Sequence, residues 1–231
     1  MTNDNPLNLP EVIFVPQGSE YQAVKRGLQQ AGVHLPIYAL PMGIKPTQKF
    51  VKTWLNAKTS SRPRSLLLTG LCGSLKPQYK VGDVVLCDRI NNLPWDPDLT
   101  TKLADRLPSR SCARVNGYTS DRFLATATAK QACRQQYNAD VVDMEGIAVL
   151  ELLQQTGIAA AMLRVVSDNA THNVPDLGDT IDSEGQIQAR SLALAFLRQP
   201  LGAARLIQGA LRGLKVLQEV TVCLYSGSDS P

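Results

Sequence analysis

The 231-residue sequence contains little of several residue types on which catalytic and metal sites often depend. It has only two histidines, His34 and His172, and they lie in unrelated segments, so we expect neither histidine catalysis nor a metal site. Its five cysteines are odd in number and form no C-x-x-C pair, which argues against a disulfide framework or a zinc site. We therefore predict a protein of a reducing compartment, the cytoplasm, that uses no cofactor.

Long hydrophobic runs and blocks of like charge are also missing. No apolar run approaches the roughly 20 residues that a membrane-spanning helix needs, and the first residues are polar, without the pattern of an export signal. The formal charge of +4 is spread along the chain. Because nucleic-acid binding usually requires clustered cations, we expect neither a membrane nor a nucleic acid as partner.

The sequence does carry an alternation of apolar runs with periods typical of strands and helices. A chain of this length, with 44% hydrophobic residues, predicts a single domain over residues 1–231, with residues 1–10 and 226–231 disordered. Residues 91–110, which hold three prolines, are predicted to form a loop or an irregular helix. The alternation indicates an α/β fold with helices on both faces of the sheet. The predicted strands are 12–15, 35–40, 65–69, 83–90, 112–118, 139–143 and 159–166, and the helices are 19–31, 47–57, 122–137, 144–155, 184–197 and 201–219.

Two segments place acidic residues directly after strand-like runs. The first is VVDMEGIA at residues 141–148, and the second is LRVVSDNA at residues 163–170. Open α/β sheets hold their ligands at the carboxyl ends of strands, so these segments predict an active site.

The two segments resemble motifs of the nucleoside phosphorylase and nucleosidase superfamily. TGLCGSL at residues 69–75, VGDVV at 81–85 and GYTSDRF at 117–123 are similar to further motifs of that family and occur in the family's order. The resemblance implies a three-layer α/β/α sandwich with a central mixed sheet, like that of purine nucleoside phosphorylases. It also implies a nucleoside substrate and a homodimer or higher homo-oligomer.

The resemblance implies a role for each of several residues. Asp168, beside Ser167, would protonate or hydrogen-bond N7 of a purine, while Glu145 would accept hydrogen bonds from the ribose diol. The remaining substrate contacts implied by the family are Met144 on the sugar, Phe123 against the base, Gly70 for close backbone approach to the sugar, and Ile44 near the 5′ group.

Simpler explanations exist for most of these residues. Asp168 could cap a turn, Glu145 could favour the positive end of a helix dipole, and Met144 and Phe123 could fill the core. Asp143 could cap the helix that follows it. The residue types alone do not separate these readings.

The nucleophile distinguishes hydrolysis from phosphorolysis. Phosphate requires cationic groups, typically arginines, and the loop after the first strand, PQGSEY, has no cation before Lys25, while the run LLLT at residues 66–69 is apolar. Glu20 lies instead near the position at which hydrolytic members place the base that activates water. A glutamate on the exposed face of the first helix is the competing explanation.

We therefore predict hydrolysis of the N-glycosidic bond of a 5′-substituted adenosine, similar to that catalysed by 5′-methylthioadenosine/S-adenosylhomocysteine nucleosidases. The alternatives within enzymes are a purine nucleoside phosphorylase and a nucleosidase for a bulky 5′-substituted adenosine such as adenosylhopane. The alternative of another class is a non-catalytic nucleoside-binding protein. The orientation of Glu20 separates catalysis from binding alone.

Overall fold

A computed structural model describes residues 9–57, 62–107, 112–180, 182, 184–186 and 188–226. The predicted disorder at the two ends therefore falls mostly outside the described residues, although Leu9 and Pro10 are described and buried. None of the helices in the described part of the chain is both long enough and apolar enough to span a membrane.

Eight strands form within the described residues. They are β1 (Val12–Pro16), β2 (Ile37–Leu40), β3 (Ser65–Ser74), β4 (Val84–Ile90), β5 (Leu93–Pro94), β6 (Cys112–Thr119), β7 (Val141–Asp143) and β8 (Ala159–Asp168).

Seven α-helices and one 3-10 turn, Gly178–Thr180, form in the same part of the chain. The helices are α1 (Ser19–Gln30), α2 (Ile44–Asn56), α3 (Pro97–Asp105), α4 (Ala127–Tyr137), α5 (Gly146–Leu153), α6 (Ala189–Arg198) and α7 (Pro200–Tyr225).

The strands form one mixed sheet in the order β2-β1-β3-β7-β6-β4-β5. β8 pairs in parallel with β3 and antiparallel with β4, so that β3, β7, β6, β4 and β8 form a closed ring. β1 and β2 extend the sheet from β3 in parallel. The prediction of an α/β fold with a central mixed sheet is confirmed.

The sheet is buried on both faces, which explains its nearly continuous apolar strands. Side chains alternate along a strand, so Phe14 packs in one core cluster while its neighbour Ile13 packs in another. Helices α2 and α5 contribute to the first cluster, and α1, α3 and α7 contribute to the second. The helices thus cover the two faces of the sheet as predicted.

Five segments differ from their predicted structure. α6 begins at Ala189 rather than at residue 184, and α7 continues to Tyr225 rather than ending at residue 219. β3 continues through the glycine-containing segment to Ser74 rather than ending at residue 69. The proline-containing segment forms β5 and α3, because Asp96 caps the helix through the Leu99 N–H and Pro97 occupies its first turn. α4 begins at Ala127, after Thr126 caps it, so residues 122–126 are not helical.

α7 packs closely on the rest of the protein through glycines. A Cβ at Gly27 of α1 would lie 2.7 Å from the Thr221 Cβ and 2.8 Å from the Gln218 carbonyl oxygen of α7. A Cβ at Gly209 of α7 would lie 2.0 Å from the Ser167 carbonyl oxygen of β8. Both contacts bring backbones closer than any larger residue allows.

We predict that Gly27→Ala lowers the free energy of unfolding by about 1–3 kcal/mol, because the added methyl overpacks the contact of α1 with α7. Helix propensity alone predicts the opposite sign, a gain of about 1 kcal/mol. Urea denaturation measures the difference, with Gln29→Ala on the exposed face of α1 as the matched control. A stabilised Gly27→Ala variant would contradict the close contact.

Candidate active site

A cavity lies where β3, β7 and β8 end. Its volume is about 150 Å³, and its wall is mainly apolar with a few acidic groups. Gly73, near the end of β3, pairs with Val142 of the antiparallel β7 on one side and with Asp168 of the parallel β8 on the other, so the end of β3 meets both acidic segments predicted from the sequence. The cavity lining includes Glu20, Leu71, Phe123, Glu145, Ser167 and Asp168.

A β-bulge at the end of β3 brings these segments together. The pairing of β3 with β8 shifts between Cys72 and Gly73, so that Gly73 faces Asp168. Gly73 also pairs with Val142 of β7, and a Cβ at Gly73 would lie 3.2 Å from Asp168 Oδ2. Bulges commonly redirect a side chain beside an active site, and here the bulge places Asp168 against the cavity wall.

Arg164 is fully buried and connects the acidic residues. Its Nη2 forms an ion pair with Asp143 and lies 3.7 Å from Glu145 Oε2. Asp143 also accepts hydrogen bonds from the Thr119 hydroxyl at 2.6 Å and from the Gly146 N–H at 2.8 Å. Asp143 thus fixes both the arginine and the start of α5, which agrees with its predicted capping role.

Glu145 precedes α5 and faces the cavity with one carboxylate oxygen held in place. Its Oε1 accepts a hydrogen bond of 3.1 Å from the Gly43 N–H. Burial and, second, the negative charge of Asp143 raise the pKa of Glu145 to about 8, although Arg164 opposes this effect. At neutral pH the carboxyl group can therefore hold a proton.

Glu20 lies in the first turn of α1 and lines the same cavity. Its Oε1 accepts a hydrogen bond of 2.5 Å from the Leu71 N–H at the end of β3. Burial raises the pKa of Glu20 to about 7, against the lowering effect of that hydrogen bond and of Arg164. A carboxylate with such a pKa can gain or lose a proton near neutrality.

Asp168 ends β8 and is buried beside a lysine that the sequence analysis did not single out. Lys130 of α4 forms an ion pair with Asp168 Oδ2 and donates a hydrogen bond of 2.7 Å to the Asn169 carbonyl oxygen. The Ser167 hydroxyl lies 3.0 Å from Asp168 Oδ1, to which it can donate, and 3.2 Å from the Cys72 carbonyl oxygen. The candidate acid is therefore held through both of its oxygens.

Six of the eight predicted site residues line this cavity. They are Glu20, Phe123, Met144, Glu145, Ser167 and Asp168. Phe123 and Met144 are half-buried, and Phe123 lies in the non-helical segment before α4.

The other two predicted site residues lie outside the cavity wall. Ile44 packs against a core cluster as the first residue of α2, and Met42 lines the cavity in its place. Gly70 lies against two charged side chains rather than on the cavity wall. A Cβ at Gly70 would lie 2.5 Å from Arg164 Nη1 and 2.7 Å from Glu20 Oε1. The positive φ of 152° at Gly70 also favours glycine.

The chain belongs to the Phosphorylase superfamily. The model of that family matches residues 20–111 and 91–198, which together include most of the chain and every lining residue used above.

Particular relatives share the fold over nearly the whole chain. A 5′-methylthioadenosine/S-adenosylhomocysteine nucleosidase from Helicobacter pylori, solved with butyl-thio-DADMe-Immucillin-A, is 16% identical, with a TM-score of 0.63 over 92% of this chain and 98% of that chain. A futalosine hydrolase from Helicobacter pylori is 15% identical, with a TM-score of 0.64 over 94% and 98%. At these identities the likeness concerns the fold.

A curated sequence relative is an aminodeoxyfutalosine nucleosidase from Campylobacter jejuni. It is 23% identical over 131 residues, a match that spans 46% of this chain and only 57% of the relative.

We predict that Glu145→Gln reduces the pH dependence of stability. The pKa of Glu145 rises from its ordinary value of 4.5 to about 8 on folding. Between these two pH values the folded protein therefore binds a proton that the unfolded chain lacks. The free energy of unfolding therefore falls as pH rises through that window. Glu145→Gln should make this fall smaller by about 1–3 kcal/mol in urea denaturation. Glu151→Gln, on the exposed side of α5, is the control and should leave the fall unchanged.

Proposed function

We propose that the protein hydrolyses the N-glycosidic bond of a 5′-substituted adenosine and releases adenine. The observation that carries the proposal is the presence of two differently held carboxyl groups, Glu20 and Asp168, on the wall of one cavity. Glycoside hydrolysis requires one group that delivers a proton to the leaving group and one that activates water.

In the proposed reaction, Asp168 with Ser167 faces N7 of the base, and proton delivery there makes the base a better leaving group. Glu145 accepts hydrogen bonds from the ribose diol, and Met144 packs on the sugar. Glu20 takes a proton from the water that attacks C1′. Its location on the cavity wall favours catalysis over binding alone.

The charges around the cavity favour water over phosphate as the nucleophile. A phosphate dianion is usually held by several cationic groups, but the one cation among the described lining residues is Arg122, which is exposed. Arg164 is already paired with Asp143. Phosphorolysis remains the second candidate reaction to be tested.

The 5′ group is proposed to contact the apolar part of the wall, which includes Met42 and Leu177. These side chains suit an uncharged or thioether substituent better than a phosphate. Methylthioadenosine and S-adenosylhomocysteine are the first candidates, with aminodeoxyfutalosine and adenosylhopane as larger ones. Homo-oligomerisation and cytoplasmic location remain predictions.

We expect the protein to release adenine from at least one of these nucleosides without phosphate, and Asp168→Asn and Glu20→Gln to lower kcat/KM by about 100-fold or more. Chromatography of adenine and of the sugar product measures both rate and nucleophile. Asp98→Asn, on the exposed side of α3, is the control. Sugar 1-phosphate as product would establish phosphorolysis, and binding of these nucleosides without any cleavage would establish a binding protein.

We also expect kcat/KM to fall about tenfold per pH unit below about pH 7, because protonated Glu20 cannot accept a proton from water. Above the pKa of Glu20 the carboxylate predominates, and this cause of a change in kcat/KM with pH disappears. The measurement is kcat/KM from about pH 5 to 9 in wild type and Glu20→Gln. If kcat/KM of Glu20→Gln falls below about pH 7 as it does in wild type, the fall is due to another group.

A further inference from the structure

Lys130 is a fully buried charge that the proposed reaction leaves without a role. It lies on α4, and in the described part of the chain its ammonium contacts Asp168 and the Asn169 carbonyl oxygen. Lysine is seldom fully buried, because removing the ammonium from water is costly even when it is paired. Proteins in which both partners of such a buried pair are replaced by apolar side chains are often as stable. The lysine therefore calls for a chemical explanation.

Attachment of α4 does not require this ion pair. The Ala127 N–H at the start of α4 donates a hydrogen bond of 2.9 Å to Asn173 Oδ1. The Ala125 carbonyl oxygen accepts one of 2.9 Å from the Val174 N–H. These two bonds already hold the start of α4 against the segment after β8.

The location of the proton that the leaving adenine requires explains why a lysine is buried here. When Lys130 and Asp168 are both ionised, the carboxylate has no proton to give, and the proton that a leaving adenine requires rests on Nζ. Asp168 lines the cavity, whereas Lys130 does not belong to its wall. A proton can therefore pass from Nζ to the substrate only through Asp168.

We propose that Lys130 supplies this proton through Asp168, an inference that rests on the proposed function. As the bond between C1′ and N9 breaks, its electron pair passes to the base, N7 takes a proton from Asp168, and Asp168 takes one from Nζ. Water adds to C1′ and gives its proton to Glu20. Lys130 ends as a neutral amine, Asp168 as a carboxylate and Glu20 as a carboxylic acid. After product release, Glu20 returns a proton to solvent and Lys130 takes one up.

In this mechanism Lys130 is a positioning residue, because it acts on the substrate only through Asp168. The ammonium holds Oδ2, and the Ser167 hydroxyl is placed to hold Oδ1 at 3.0 Å. These two contacts fix the orientation of the Asp168 carboxyl group while it takes a proton from Nζ and gives one to N7. Fixed orientation of this kind is what proton transfer to a bound base requires.

The test compares two leaving groups. Adenine needs protonation to leave, whereas 4-nitrophenolate leaves without it. We expect Lys130→Met to lower kcat/KM for the adenine nucleoside about 100-fold or more. For 4-nitrophenyl β-D-ribofuranoside we expect a change of less than about threefold. Equal losses with both substrates would indicate a structural role and overturn the proposal.

Three further variants keep the test decisive. Lys130→Arg retains the charge but not the transferable proton, since a guanidinium stays protonated in proteins, so recovery of adenine release in it would refute proton supply. Lys130→Gln keeps a hydrogen-bond donor and replaces Lys130→Met if the latter fails to fold. Arg134→Met removes an exposed charge one turn further along α4 and should match wild type.

A binding experiment separates this inference from the proposed function. Titration calorimetry of adenine and 7-deazaadenine, which lacks N7, reports proton donation to N7 without any turnover. We expect wild type to prefer adenine about tenfold or more, and Lys130→Met to lose that preference. Wild type that hydrolyses nothing but shows this preference would refute the proposed function alone. A preference that survives in Lys130→Met, or is missing in wild type, would refute the role of Lys130.

Discussion

Arg164 is fully buried, so its charge must be balanced by neighbouring carboxylates, and the geometry of the candidate site follows from this requirement. Asp143 makes the direct ion pair and simultaneously accepts hydrogen bonds from Thr119 and from the first residue of α5. β6, β7, β8 and α5 are thereby fixed relative to one another at the point where the sheet ends. Breaking such a buried pair leaves an uncompensated charge, which costs far more than the pair itself contributes.

The same arginine also affects the pKa values of the two glutamates on its side of the cavity. Around Arg164, three carboxyl groups share one cation, so burial and mutual repulsion favour protonation of Glu20 and Glu145. Asp168, in contrast, has Lys130 as its own partner. The glutamates around Arg164 therefore suit proton uptake, whereas the Asp168 carboxylate lies against an ammonium group. A reaction that protonates a base and deprotonates water needs this separation.

Much of the fold and of the site could be predicted from the sequence, because strands ending in acidic residues are a local pattern. α3 was predictable in principle from Asp96 and Pro97, which are ordinary helix-start residues, but the density of prolines obscured it. The pairing of Lys130 with Asp168 depends on which face of α4 meets β8, and no local pattern records that. Ile44 stays a predicted contact of the 5′ group, although Met42 rather than Ile44 lines the cavity and Gly43, with a φ of 91°, lies between them.

The contact of Gly209 with the Ser167 carbonyl connects α7 to the candidate site, although the helix contributes no residue to the cavity wall. The helix rests on the backbone immediately before Asp168, with no side chain between them to absorb a displacement. α7 also packs tightly on α1, which carries Glu20. α7 thus contacts both the strand that carries Asp168 and the helix that carries Glu20. Any ligand or partner that tilted α7 would therefore displace Asp168 and Glu20 together.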